Sequence, residues 1–464
     1  VRSAERFILK TFCVFWAFCD KSMVMLKRLF KLRENNSDIK TEVVAGVTTF
    51  MTMSYIIFVQ PTVLSACGMD FGAVLAATCV SSAIATFLMA LYANYPIALA
   101  PGMGQNFFFA YTVVMGMHIS WEKALGAVFI SGALFLFLAL FGFREKLIDS
   151  IPHSLKEAIA VGIGLFVAMI GFQWSGIVVA SSGTIVSLGS LQSPPTLLSM
   201  FGLALTIVLV AARVRGALLW GILGTAVAGL PMGIVRYQGV FGRAPSMAPT
   251  FLELDIPGAI DLGLVGVIFV FFFLALFDSI GTLIGVSNQA GFLKGGKLPR
   301  AREALTADAF GSVSGALLGT STVTAYVESA AGVAEGGRTG LANMITGFLI
   351  LSALFLHPLA RMVGDGYQLA DGSRIYPVVA PVLIVVGSMM LRNVGKIRWE
   401  DSTEAIPAFL TMVLMPFAFS ITEGIAFGFI SYALLKLATG RRHEVGGWVY
   451  LFAALFVLRY IYLS

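Results

Sequence analysis

The chain has 464 residues, of which 58% are hydrophobic and 12% charged, with a net charge of +6 and 38 phenylalanines. A charged fraction about half that of an ordinary soluble domain leaves too little polar surface for a water-soluble fold. Nucleic acid is excluded as a partner as well, because the basic residues fall in short clusters between apolar runs, as membrane orientation signals do.

Residues 1–40 read as a cytoplasmic N-terminal extension. Phe7 to Cys19 is apolar but interrupted by Lys10, too short to span a bilayer and without the cleavage site of a signal peptide. The cluster Met23, Met25, Lys27, Arg28, Lys31, Arg33 resembles an ordinary cytoplasmic start, so translation is expected to begin at Met23. Apolar runs between breakers, each long enough for a core of about 30 Å, then predict spans near 42–66, 71–93, 97–117, 122–142, 157–177, 196–213 and 216–235. A polar external linker occupies 237–257. The second set lies near 262–289, 303–319, 321–335, 339–358, 376–391, 404–420 and 423–437. The apolar segment within 439–464 is read as interfacial or packed on the bundle and is not counted.

Charge tests this division independently. With a cytoplasmic N-terminus, all but five of the 31 Lys and Arg residues fall on the inner side, including Arg144, Lys146, Lys294, Lys297, Arg441 and Arg442. The five outside are Lys123, Arg236, Arg243, Arg361 and Arg374. Seven spans are an odd number, so a second copy enters the membrane inverted, as in secondary transporters. The repeats are assigned to 41–236 and 258–438, and both termini are expected to be cytoplasmic. The fold class expected is an all-α polytopic membrane protein of fourteen transmembrane spans in two inverted repeats of seven.

Two segments depart from plain helix. The third span opens Ile97-Ala98-Leu99-Ala100-Pro101-Gly102-Met103-Gly104, where Pro101 and the glycines disfavour helix interior. Its counterpart opens Thr322-Val323-Thr324-Ala325-Tyr326-Val327-Glu328-Ser329. Interrupted segments at matching places in two halves point to a binding site near the bilayer midplane, although a simple proline kink is the plain alternative.

Charges inside spans are few and costly, about 2.5 to 3.5 kcal/mol each even on the lenient scale. Asp278 lies deep in a Phe-rich run, on a face continuing through Gly281, Thr282 and Gly285, a stripe that would let another backbone approach; a bond to a neighbouring helix end is its structural alternative. Glu328 sits where the extended piece turns into helix. Glu335 is expected to pair with Arg338, and Asp308 to serve in the first turn of its helix. Asn106, followed by three phenylalanines, offers an amide donor and acceptor beside stacking faces, which suits a planar heteroaromatic ligand; an interhelical hydrogen bond is the alternative. Asn106, Asp278 and Glu328 are the candidate substrate-binding residues, with Asp278 and Glu328 the proton-coupling pair. Gly102, Gly104, Phe107, Thr282, Tyr326 and Ser329 are candidate pocket lining. The four cysteines, Cys13, Cys19, Cys67 and Cys79, lack metal-ligand spacing, and neither metal, cofactor nor catalytic constellation is expected.

The run Asn94-Tyr95-Pro96-Ile97-Ala98-Leu99-Ala100-Pro101-Gly102-Met103-Gly104-Gln105-Asn106-Phe107-Phe108-Phe109-Ala110-Tyr111 resembles a motif of the adenine/guanine/hypoxanthine permeases. These are the AzgA-like branch of the nucleobase-cation symporter-2, or xanthine/uracil permease, superfamily. Segments 49–57, 151–159, that of Asp278 and 320–329 are similar to the same family. The resemblance implies core and gate domains, short strands in spans 3 and 10, proton symport of purine bases, and ligand contacts on spans 3, 8 and 10, which by motif are Asn106, Asp278 and Glu328. Gln105 and Phe107 depart from the apolar and small residues expected in this branch. The partners implied are a purine base, protons and the plasma-membrane bilayer, with a homodimer as the candidate assembly. A uracil or xanthine permease is the runner-up; a channel or an intramembrane enzyme lacks the pore or the catalytic groups it would need.

Overall fold

A computed structural model of the protein describes residues 25–141, 152–181, 183–260, 265–293, 298–369 and 372–462. The expected start at Met23 and the orienting residues Arg144, Lys146, Lys294 and Lys297 fall outside the described residues. The described residues are mainly helical, and side chains chosen by the sequence set the starts of several helices. Asp38 accepts from Thr41 N–H ahead of α1 (Ile39–Met53), and Asp70 accepts from Ala73 N–H ahead of α3 (Phe71–Leu88). Between them α2 (Ile56–Ser65) continues α1 after a break at Ser54 and Tyr55.

The third expected span is composite. Strand β1 (Leu99–Pro101) leads into a short helix α4 (Met103–Phe107), which widens into a π-helix over Phe108–Gly116. Then come α5 (Trp121–Phe141), α6 (His153–Trp174), a hairpin of β2 (Val178–Ser181) and β3 (Ile185–Leu188), α7 (Pro194–Ala211) and α8 (Ala217–Gly229). After the one-turn α9 (Ile256–Ala259) follow α10 (Val265–Gln289), α11 (Ala301–Leu318), β4 (Val323–Ala325), α12 (Ser329–Ala334), α13 (Gly340–Ser352) and α14 (His357–Gly364). A small ladder of β5 (Tyr367–Gln368) and β6 (Arg374–Ile375) precedes α15 (Ala380–Met390), α16 (Ser402–Phe417), α17 (Ile421–Ala438) and α18 (Gly447–Tyr462).

Among the described residues, eight helical segments are long and apolar enough to cross a membrane: Ile39–Ser65, Phe71–Ala93, Trp121–Phe141, His153–Trp174, Pro194–Ala211, Val265–Gln289, Gly340–Gly364 and Ile421–Ala438. The expectation was fourteen crossings. The difference has physical causes: segments 97–117 and 321–335 are part strand, α11 carries Arg302, Glu303 and Asp308, and α8, α15 and α16 are short.

The helices pack as two groups. In one, α1, α3, α5, α10, α11, α12 and α13 surround the β1–β4 pair; in the other, α6 packs on α15, α16 and α17, and α7 on α8 and α15. Close approach in the first group depends on small residues: a Cβ on Gly332 of α12 would fall 2.1 Å from Thr49 Oγ1 and 2.6 Å from the Ala45 carbonyl oxygen of α1. Between the groups, Arg215 pairs with Glu335 at 2.7 Å. This corrects the expected Glu335–Arg338 pair; Arg338 instead turns its guanidinium to the Val333 and Gly337 carbonyls.

Helix α18 folds back along α17, and Arg459 meets Glu423 in the first turn of α17 at 2.9 Å. Its far end therefore lies away from Arg441, at the other end of α17. The segment thus packs on the bundle, one of the two placements expected for it.

Reading the sequence missed a buried lysine. Lys436, fully buried, lies 3.1 Å from Glu404, 3.0 Å from Glu444 and 3.9 Å from Asp401, and Tyr432 O–H also donates to Glu404. Arg441 closes the cluster on Asp401 and Glu444, each at 2.8 Å. Removing the ammonium would strand the buried Glu404 carboxylate, so Lys436→Ala is expected to cost about 3 to 5 kcal/mol and to lower the melting temperature in detergent, with Glu404→Gln on the same chain recovering part of it. The Thr403 hydroxyl and Arg441 hold Asp401 down at about 2, and Arg441 and Lys436 hold Glu444 down at about 2. Folded values below the unfolded ones mean that this stabilisation is complete above the ordinary carboxylate range and is lost as pH falls toward 2. Melting followed from pH 7 to pH 2 should show that loss in the wild type and a smaller one in Arg441→Gln.

Candidate functional site

Extended backbone at membrane depth needs partners for every N–H and C=O. Strands β1 and β4 supply some of these to each other as an antiparallel pair, with Leu99 opposite Ala325, Ala100 opposite Thr324 and Pro101 opposite Val323. The ladder extends at both ends, through Gly102 N–H to the Thr322 carbonyl and Tyr326 N–H to the Ala98 carbonyl, each 2.9 Å. The outward-facing groups are met by buried side chains. One hydroxyl, Thr86 Oγ1, accepts from Leu99 N–H at 3.0 Å and donates to Leu99 C=O at 3.1 Å. Asp308 accepts from Ala325 N–H (2.7 Å), Ser312 donates to Val323 C=O (2.7 Å), Asn343 donates to Ile97 C=O (2.7 Å) and Ser329 accepts from Ala98 N–H (3.0 Å). Tyr326 O–H donates to Pro101 C=O at 2.6 Å. Asp308 thus serves β4 and, through Ser279, α10; its expected first-turn role is replaced by this one.

The two candidate carboxylates flank this crossing. Asp278 accepts from Gln105 Nε2 at 3.2 Å, and Glu328 accepts from Tyr55 O–H at 2.7 Å. Thr52 donates to the Glu328 carbonyl at 3.3 Å, and the Tyr55 and Tyr326 rings lie 6.5 Å apart. Although deep in α10, Asp278 is exposed, and Glu328 is half-buried. The same face of α10 stays open at Gly281 and Gly285, where an added Cβ would meet nothing within 4 Å. Among the described residues no backbone packs there, so the expected contact stripe is an open face that runs from Asp278 through Gly281 to Gly285.

Asn106 points elsewhere. Fully buried, it accepts from Ser321 O–H, and Ser321 also receives a hydrogen bond from Gln60 Nε2 at 3.0 Å. Helix geometry explains the split, since neighbouring residues point about 100° apart: Gln105 faces Asp278 while Asn106 faces the α2 side. Phe107 is buried, stacked on Tyr111 at 5.9 Å and edge-on to Trp174 at 6.3 Å. Gly102 lies under the Gln105 amide and Gly104 against Ile163 of α6. Thr282 is buried beside the open face, and Ser329 and Tyr326 are engaged with β1. Residues not singled out from sequence are Gln60, Thr52 and Tyr55; Gln60, an amide within an apolar run, carried a readable signal. Among the described residues, Asn106 Nδ2, Gln60 Oε1 and Gln105 Oε1 are buried without a hydrogen-bond partner.

Broken membrane segments crossing beside two carboxylates within apolar helices define an integral membrane transporter. The transmembrane domain of a cyanobacterium bicarbonate transporter, BicA, superposes with a TM-score of 0.61 at 15% identity, over 83% of this chain and 97% of that one, a likeness of fold. The xanthine/uracil permease profile, described as Permease family, matches residues 40–427, and the chain belongs to that family. Adenine permease AdeP of Escherichia coli (strain K12) is 44% identical over 95% of this chain and 97% of its own length. Guanine/hypoxanthine permease PbuG of Bacillus subtilis (strain 168) is 44% identical over 95% of this chain and 100% of its own.

Thr86→Val keeps shape while removing both partners of Leu99. An unpaired buried backbone group costs about 1 to 3 kcal/mol, so this variant should melt several degrees lower in detergent, whereas Thr306→Val, on the exposed start of α11, should melt like the wild type.

Proposed function

We propose that the chain imports purine nucleobases, adenine, guanine or hypoxanthine, across the plasma membrane by proton symport with alternating access. The reading takes its substrate from relatives named for these bases, and its chemistry from one arrangement: two carboxylates beside the β1–β4 crossing, each held by a neutral donor and each reached from open space. Guanine and hypoxanthine present ring N–H donors to a carboxylate; adenine presents an amino donor beside ring acceptors that suit a protonated acid. Protonation of Asp278 or Glu328 removes a charge that costs about 2.5 to 3.5 kcal/mol at membrane depth, which would favour passage of the loaded site. Gln105, whose Nε2 bonds Asp278, would share a ligand with it, whereas Asn106 is tied to the Ser321 hydroxyl.

The architecture proposed is fourteen spans in two inverted repeats, 41–236 and 258–438, with 237–257 as external linker and residues 1–40 cytoplasmic. The antiparallel pairing of β1 with β4, each followed by a short helix, supports the inversion. The packed group around the strands would be the core and the group of α6, α7, α8, α15, α16 and α17 the gate. The open face along Asp278, Gly281 and Gly285 would give access from the cytoplasmic side, while Phe107, Tyr111 and Trp174, whose Nε1 donates to the Tyr111 hydroxyl at 2.8 Å, would close the other.

Uptake of labelled adenine, guanine and hypoxanthine by cells lacking their own permeases, competed with each base and repeated with an uncoupler, tests the reading. Uptake should be saturable and collapse with the uncoupler; failure to move any purine overturns it. Asp278→Asn and Glu328→Gln should abolish or strongly weaken proton-driven uptake. Gln105→Leu should raise KM about 5- to 10-fold, the value of one hydrogen bond to a ligand, and an unchanged KM would remove Gln105 from the site.

A further inference from the structure

The segment beyond α17 is a helix with two apolar faces, one buried and one exposed. Val449, Phe452, Ala453 and Phe456 are buried, whereas Leu451, Leu455, Leu458 and Ile461 are between 46% and 65% exposed. A face of exposed leucines along a membrane protein's helix is a lipid-facing face. The buried face meets two different helices. Phe452 stacks near Phe429 of α17 (5.7 Å) and Phe269 of α10 (4.7 Å), and Phe456 near the same two rings (6.3 and 6.0 Å). Phe273 of α10 meets Phe429 directly at 5.4 Å, so α18 lies over the seam where the helix bearing Asp278 touches α17.

The contacts also fix the direction. At the start of α17, Glu423 is held by Arg459 at 2.9 Å and by Tyr460 O–H, and Phe427 meets the Tyr460 ring at 6.1 Å. At its end, Lys436 holds Glu444, three residues before α18 begins. The two helices are therefore antiparallel over their whole lengths. Sixteen residues of helix rise about 24 Å, the length of α16 and short of the apolar thickness of about 30 Å, but Trp448 and Tyr460 stand near its ends as interfacial rings do. The basic pair Arg441 and Arg442 precedes its start, on the side where positive charge is retained.

We propose that α18 crosses the membrane antiparallel to α17, brings Tyr460 to the outer face, and forms a lipid-facing cover over the seam between α10 and α17, with Glu423–Arg459 as its outer anchor. The proposal concerns topology alone and does not depend on which base is carried.

Full-length chains with the four native cysteines replaced, and bearing one cysteine either as His443→Cys or appended after the last residue, would be exposed to a membrane-impermeant maleimide in intact cells and in inverted vesicles. The appended cysteine should label from outside only and His443→Cys from inside only. Labelling of both from the inner face overturns the proposal, as does an appended cysteine that labels in detergent but from neither side of the membrane. A retained melting temperature in both variants separates a misfolded chain from a wrong topology.

Discussion

The structure depends on a single obligation: two stretches of extended backbone lie at membrane depth, where no water is available to satisfy them. Six side chains, Thr86, Asp308, Ser312, Tyr326, Ser329 and Asn343, discharge it by meeting groups the β1–β4 pair leaves open. They come from α3, α11, the strand-to-helix turn, α12 and α13, so the helices around the strands are tied to one small ladder. Losing any one partner would leave a buried polar group costing about 1 to 3 kcal/mol, which makes the ladder a fixed point rather than a moving part.

That rigidity explains where the chemistry sits. The strands are antiparallel, so the chain leaves the ladder at opposite ends, with Gln105 four positions past β1 and Glu328 three past β4. Asp278 approaches from α10, whose neighbour Ser279 is locked to Asp308 and Thr324. The residue that holds the ladder and the residue that faces open space are thus adjacent on one helix, so a ligand at the proposed site of Asp278 would meet a pre-set backbone. Such pre-organisation lowers what binding must spend on ordering side chains.

Much of this was legible in the sequence because it rests on local causes. Pro101 and the glycines mark β1, apolar length marks the long helices, and Asp278 and Glu328 stand out as charges in apolar runs. What could not be read depends on rotation and on distant partners. Whether Gln105 or Asn106 faces Asp278 is decided by the phase of a five-residue helix. The glycines after Asp278 allow either a close crossing or an open wall, and only the position of neighbouring helices selects the wall. Glu335 has Arg338 three residues away, yet its partner is Arg215, 120 positions distant. Lys436 lies within an apolar helix, and its carboxylates come from another helix and from the turn that follows its own.

The interactions that hold the ladder differ in kind from those joining the two groups of helices. Across the seam, Arg215 and Glu335 form a pair whose arginine is 62% exposed, and pairs of that sort contribute about 0 to 1 kcal/mol. The aromatic contacts of Phe107 and Tyr111 with Trp174 add about 0.5 to 1.5 kcal/mol each beyond the area they bury. Thermal motion can exchange such contacts for others of similar worth, whereas the ladder would have to strand several backbone groups to yield. The proposed rocking of one group against the other would therefore follow the cheaper path, with the proposed site carried intact on the group that holds the strands. The ring stack of Phe452 and Phe456 over Phe269 and Phe429 fits the same logic, because apolar rings can slide over one another without leaving a polar group unpaired.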